Sequence, residues 1–145
     1  MDKEKYEDKF KNSLLQFMDE LIEQYPTYPT LVMVRIVIKD QIASADVINK
    51  FVTEILPYSS FITSKNELIF SDLNVIYKSC FGIKKDKEIR NFKKLWKNSD
   101  EDNKKTIWKW FDFFLRMSHK YHKKFMRNFN YTIQKQKIDE KFDLI

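Results

Sequence analysis

A chain of 145 residues with a single glycine, Gly82, has few places where its backbone can turn with positive φ or press close to a ligand. Average usage of about 7% would supply roughly ten. Loops that cradle phosphate need glycine so that backbone N–H groups can approach the anion, so P-loop, dinucleotide-binding and kinase-type sites are set aside. The tight primed turns of hairpin-rich β folds need it too. The chain therefore reads as all-α: a compact bundle of about five or six helices, with a long aromatic-rich helix toward the C-terminus. Its length suits one hydrophobic core, and 43% hydrophobic, 16% aromatic and 33% charged residues describe a globular chain. One helical domain over residues 1–137, followed by a charged, frayed tail over 138–145, is the expected organisation.

Hydrophobic spacing places the helices. Phe10, Leu14, Phe17 and Leu21, widened by Met18, Ile22 and Tyr25, predict a helix over 2–24 that Pro26 ends. Residues 30–42 alternate β-branched side chains as a strand would, yet the length of the run suits a buried helix, and they are read as helix. Ser44 is placed as the cap of a helix over 45–56, stopped by Pro57. Residues 58–70 read as loop with a helical turn, or a small β element. Ser71 is placed as the cap of a short helix to Cys80, closed by Gly82, and a further helix covers 87–97.

Ser99, followed three residues later by Asp102, resembles a capping box that opens a long helix. Between Ile107 and Met117 that helix is apolar on nearly every side, which predicts a central, buried element. Its later turns narrow to Tyr121, Phe125 and Phe129, joined by Met126 and Ile133, and the chain is expected to fray from Lys135 onward.

The residue types that carry chemistry are sparse. Cys80 is the only cysteine, so no internal disulfide forms, and with only His119 and His122 beside it a four-ligand zinc site cannot be assembled. A reducing, intracellular setting follows. The opening MDKEKYEDKFK lacks an apolar core, which argues against a signal peptide, and no run of 18 apolar residues is present to span a bilayer. Asp19, Glu20 and Glu23 form the one tight carboxylate group of the first half, on what reads as the wet face of the first helix. His119 and His122 stand at i, i+3, flanked by lysines that repel a cation. Cys80 reads as a small core residue. No catalytic, cofactor-binding or metal-binding residue is assigned.

Charge is uneven along the chain. Residues 1–83 hold 9 Lys/Arg against 12 Asp/Glu, residues 84–137 hold 17 against 6, and residues 138–145 hold 1 against 3. A segment at +11 can attract a polyanion through counterion release. Its candidate nucleic-acid contacts are Lys93, Lys94, Lys97, Lys104, Lys105, Lys109, Arg116, Lys120, Lys123, Lys124 and Arg127. Against that, 23 lysines to 4 arginines, with abundant Asn, Ile, Phe and Tyr, also reflect the codons of an AT-rich genome, and planar phosphate recognition favours arginine. Stacking of bases on the aromatic stretch between Trp108 and Arg127 requires exposed rings.

Three blocks carry a resemblance: FKNSLLQFMDELIEQYP, then FVTEILPY with ITSKNELIF, then FKKLWKNSDEDNKKTIWKWFDFFLRMSHKY. Together, over about residues 10–121, they resemble a family of small α-helical proteins encoded by large AT-rich DNA viruses of algae and amoebae. The block over 96–110 is the distinctive one. There Trp96, Asn103, Ile107, Trp108 and Trp110 match and read as structural, while Trp110 and Phe111 replace a commoner Tyr-Leu-like pair. The resemblance implies neither a catalytic role nor a cofactor.

The leading expectation is thus a non-enzymatic structural or interaction protein of a large DNA virus, acting on a viral or host protein partner in the virion, virus factory or host cytoplasm. The competing expectation is a nucleic-acid-binding or genome-packaging accessory using the basic segment. A third is a helical bundle that imitates a host apoptosis or signalling regulator by holding a partner helix in an apolar groove.

Overall fold

A computed structural model describes residues 2–144. It is all-α, with no strand among the described residues. Helix α1 spans Lys3–Gln24, and the Asp2 carboxylate caps it by accepting the Lys5 N–H at 2.9 Å. Phe10, Leu14, Phe17, Met18 and Leu21 form its buried stripe, and Pro26 follows its end.

Helix α2, Pro29–Gln41, settles the ambiguous stretch. Proline at its first turn is pre-organised for helix, and the Lys11 ammonium of α1 donates to the carbonyls of Ile42 and Lys39 at its other end, at 2.5 and 3.0 Å. Only one face is buried, by Leu31, Val34 and Ile38. The expectation of a buried helix holds for that face alone.

Helix α3, Ser44–Lys50, starts one residue earlier than expected, with Ala43 in the capping position and no side-chain cap from Ser44. It widens into a π-helical stretch, Phe51–Ile55, and tightens into a 3-10 turn, Leu56–Tyr58. Pro57 therefore does not end the element. The missing N–H is absorbed by the change of winding, and the chain continues directly into α4, Ser59–Thr63. A single turn, α5, covers Leu68–Ser71, so Ser71 closes an element instead of opening one. A π-helical turn, Ile76–Cys80, leads to Gly82 at φ 68, where the predicted left-handed residue is found.

Helix α6, Asp86–Asn98, turns Ile89, Phe92 and Trp96 inward. Helix α7 spans Glu101–Phe125 and is capped by Asp100, whose carboxylate accepts the Asn103 N–H at 2.8 Å. The expected cap, Ser99, instead ends α6, where its hydroxyl donates to the Leu95 carbonyl at 2.7 Å and meets the Tyr25 hydroxyl. The signal was right to within one residue, because Ser99, Asp100 and Asp102 all offer a side-chain acceptor.

Nor does α7 run on through Phe129 and Ile133. It ends at Met126, the chain turns, and α8 follows over Thr132–Lys141. The His122 ring nitrogen meets the Phe129 carbonyl at 2.6 Å and closes that turn, while Ile133 is exposed. The expected frayed tail is likewise corrected. Residues 138–141 are the end of α8, and Phe142 lies edge-on to the buried Phe61 at 5.2 Å. Lys135 donates to Asp139 at 2.8 Å and to Ser60 at 2.9 Å, tying α8 to α4.

The core is built of rings. Phe114 lies within 5.4–6.2 Å, between centroids, of Phe10, Phe17 and Phe51. Phe70 sits 4.5 Å from Trp96 and 4.9 Å from Trp108, so two of the three tryptophans of the 96–110 block are core residues, and Trp110 is half-buried against the core. Helix α1 has α2, α3 and α7 packed around it. No helix among the described residues is long and apolar enough to cross a membrane.

Candidate functional site

Two outward faces stand apart from this core. On α2, Val32, Met33, Ile36 and Val37 are exposed, Met33 by 61%. At 100° per residue they form one ridge, and Asp40 extends it by a turn. An open groove of ≈430 Å³ runs along the flank of that ridge, lined by Met33, Val34, Val37, Phe81 and Ile83 together with Lys84 and Lys85. The Thr30 hydroxyl donates to Glu88 at 2.8 Å and holds the start of α6 beside the start of α2. The lysines consequently stand at the N-terminal end of the ridge, and Asp40 at its C-terminal end. None of Asp40, Lys84 and Lys85 has an ion-pair partner among the described residues. Sequence reasoning missed this face, although its signal was present: apolar residues fill both sides of a helix over 31–38.

The second face is on α7. The expectation of a helix buried all round is corrected, because Lys109 and Arg116 interrupt the apolar stretch on one side and are exposed. Lys105, Lys109, Arg116, Lys120 and Lys123 share that side, while Ile107, Trp108, Phe111, Phe114 and Leu115 point inward. Of the other candidate contacts, Lys93 donates to the Asp72 carbonyl at 2.8 Å. Lys104 pairs with Glu67 at 3.1 Å and lies over the Trp96 ring. Lys124 lies over Tyr6, and Arg127 donates to the Lys123 carbonyl at 2.9 Å. Lys94 and Lys97 are exposed on α6, on a different helix from the five.

The groups with possible acid–base chemistry are dispersed. Asp19 pairs with Arg35 at 2.5 Å, and Glu20 accepts from the Trp110 indole. Glu7, buried, accepts the Tyr121 hydroxyl at 2.5 Å; burial first, and then the carboxylate, hold that phenol above its ordinary range. His119 lies 3.4 Å from the Tyr131 hydroxyl. Burial first, then His122, Lys123 and Lys135, depress its pKa and favour the neutral ring. Burial pushes the Cys80 thiol up to about 12, which leaves it a poor nucleophile at neutral pH. No three His, Cys, Asp or Glu side chains among the described residues are grouped to hold a metal ion. Compared with known proteins, the chain matches no family model, no curated protein and no solved structure.

Proposed function

We propose that this chain is a non-enzymatic interaction protein that acts by presenting helix faces, and that the aliphatic face of α2 is its contact surface for a second copy. The observation that carries the reading is the exposed ridge of Val32, Met33, Ile36 and Val37 on a helix whose other side is already buried. Apolar side chains grouped in this way destabilise the isolated surface and favour association.

The occupant follows from charge. A two-fold contact requires a surface complementary to itself. Antiparallel pairing of two α2 helices sets Val32 across from Val37 and Met33 across from Ile36, and brings Asp40 of each copy to the end where the other carries Lys84 and Lys85. Carboxylates that could serve catalysis are engaged elsewhere, Asp19 by Arg35 and Glu20 by Trp110, which supports a contact role over an enzymatic one. Placement in a virion or virus factory rests on the sequence resemblance alone.

Light scattering on the eluted protein tests this at concentrations up to about 300 µM, the range in which a small interface shows itself. The expected result is a mass rising from 17.8 kDa toward twice that value, with Met33→Glu and Ile36→Glu both monomeric. Asp40→Lys should weaken the pair, and adding Lys84→Glu and Lys85→Glu should restore it. A monomer at every concentration, or a dimer indifferent to these changes, overturns the reading.

A further inference from the structure

The open side of α7 carries a separate site. Beyond its first turn, from Lys105 onward, every exposed residue of α7 is cationic. Lys105, Lys109, Arg116, Lys120 and Lys123 fall within an arc of about 60° and extend over about 27 Å of helix. None of the five has an ion-pair partner among the described residues.

The carboxylates that might neutralise the stripe are occupied. Of the six acids in residues 84–137, Asp86 and Glu88 lie in the first turn of α6, Glu101 and Asp102 in the first turn of α7, and Asp100 caps α7. There they complement helix dipoles. Asp112 lies at the edge of the stripe, half-buried, and Glu20 of α1 shares an open groove with Lys109 while its carboxylate accepts from the Trp110 indole.

A codon bias toward lysine does not account for this, because it acts on every helix. On α1 the exposed charges are mixed: Lys3, Lys5 and Lys9 against Glu4, Asp8, Asp19, Glu20 and Glu23. On α6 the exposed charges after Asp86 are likewise of one sign, Lys87, Arg90, Lys94 and Lys97, so single-sign faces belong to the basic segment and α7 carries the longer of the two.

We propose that the α7 stripe binds the phosphodiester backbone of duplex nucleic acid. A line of point charges suits a linear polyanion, and about 27 Å corresponds to about eight base-pair steps. A membrane surface would instead favour cations flanking an exposed apolar face, whereas the apolar side of α7 faces the core. The rings nearest the stripe, Trp110 and Phe113 beside Lys109, are half-buried, and no aromatic side chain is among the exposed large hydrophobics of the described residues, so charge outweighs base stacking at this site. The four lysines are point charges and Arg116 is the one planar fork in the line, too few to read successive base edges, so binding is independent of sequence. The proposal goes beyond the pairing of α2 and does not depend on it.

The test is fluorescence anisotropy of the full chain with a labelled mixed-sequence DNA duplex, the matching RNA duplex and the single strand, over a series of salt concentrations. With about four to five phosphates contacted, the logarithm of the binding constant should fall with a slope of about −4 against the logarithm of salt, a loss of about 100-fold or more between 50 and 200 mM. The single strand should bind more weakly than either duplex.

Two variants separate the site from bulk charge. One neutralises the stripe: Lys105→Gln, Lys109→Gln, Arg116→Gln, Lys120→Gln and Lys123→Gln. The other removes five exposed lysines elsewhere, Lys3, Lys5, Lys9, Lys39 and Lys78, by the same Gln change. Both should melt as the parent does. The stripe variant should lose at least tenfold in affinity at low salt, and the control should lose under threefold. Equal losses in the two variants, no measurable duplex binding by the parent, or tighter binding to vesicles rich in phosphatidylserine than to duplex would each overturn the proposal.

Discussion

Helices α2 and α7 both pack against α1 and leave their other side open, and the open sides carry opposite chemistry. One presents Val32, Met33, Ile36 and Val37, the other Lys105, Lys109, Arg116, Lys120 and Lys123. Folding constrains only the side that faces the core, where a lost methylene is felt at once. The outward side is almost neutral for stability, so its residues record what meets it outside. Aliphatic side chains there work against solubility and point to a contact, while unpaired cations point to a polyanion.

The two helices also differ in how they are tied to α1. For α7 the tie is the buried pair of Tyr121 and Glu7, joined across 114 residues of sequence. For α2 the side-chain pair is Arg35 with Asp19, whose carboxylate side chain is 56% exposed, beside the Lys11 ammonium on the carbonyls at the end of the helix. A carboxylate without its donor in the core loses far more than a solvated one.

The largest effect is expected where both helices depend on shared support. Phe114→Ala removes a fully buried ring that touches rings from α1 and from the π-helical stretch, and should lower stability by about 3–5 kcal/mol in urea denaturation. A cost under about 1 kcal/mol would mean that the two faces do not share a rigid core.

Next comes the difference between the ties. Tyr121→Phe leaves the Glu7 carboxylate buried without its donor and should cost about 1–3 kcal/mol, whereas Arg35→Ala should cost about 0–1 kcal/mol. Equal costs by the same measurement would erase the distinction.

A smaller effect is set by pH near the end of α7. The pKa of His119 is depressed by burial and by His122, Lys123 and Lys135. The fold therefore favours the neutral ring, and this contribution is present above the ordinary value of 6.5 and lost as pH falls through the depressed one. Urea midpoints measured between about pH 7.5 and pH 5 should show a downward trend that His119→Gln reduces.

Least of all should change when the outward faces are altered. Ile36→Gln on α2 and Lys109→Gln on α7 should each shift stability by under about 0.5 kcal/mol, while the first weakens self-association and the second weakens duplex binding. A large stability loss from either would place that side chain in the core.

The helical class was legible because two of its causes are local: the scarcity of glycine and the spacing of Phe10, Leu14, Phe17 and Leu21. The acidic start of α7 was legible to within one residue for the same reason. Pro57 misled because a proline forbids one hydrogen bond, and that deficit can be met by rewinding the helix in place of ending it. The tail misled because its charges are visible in the sequence, while the partners that dock it, Phe61 for Phe142 and Ser60 for Lys135, lie far back in the chain.

The candidate surfaces divide in the same way. Net charge and its concentration in residues 84–137 are sums over the sequence and need no fold. Which of those cations stand in one exposed line, which are spent on Asp72, Glu67 or Trp96, and which side of α2 is left uncovered were decided only by the tertiary structure. Sequence spacing establishes that residues share a helix face; whether that face meets water or a neighbouring helix depends on packing between elements distant in the chain.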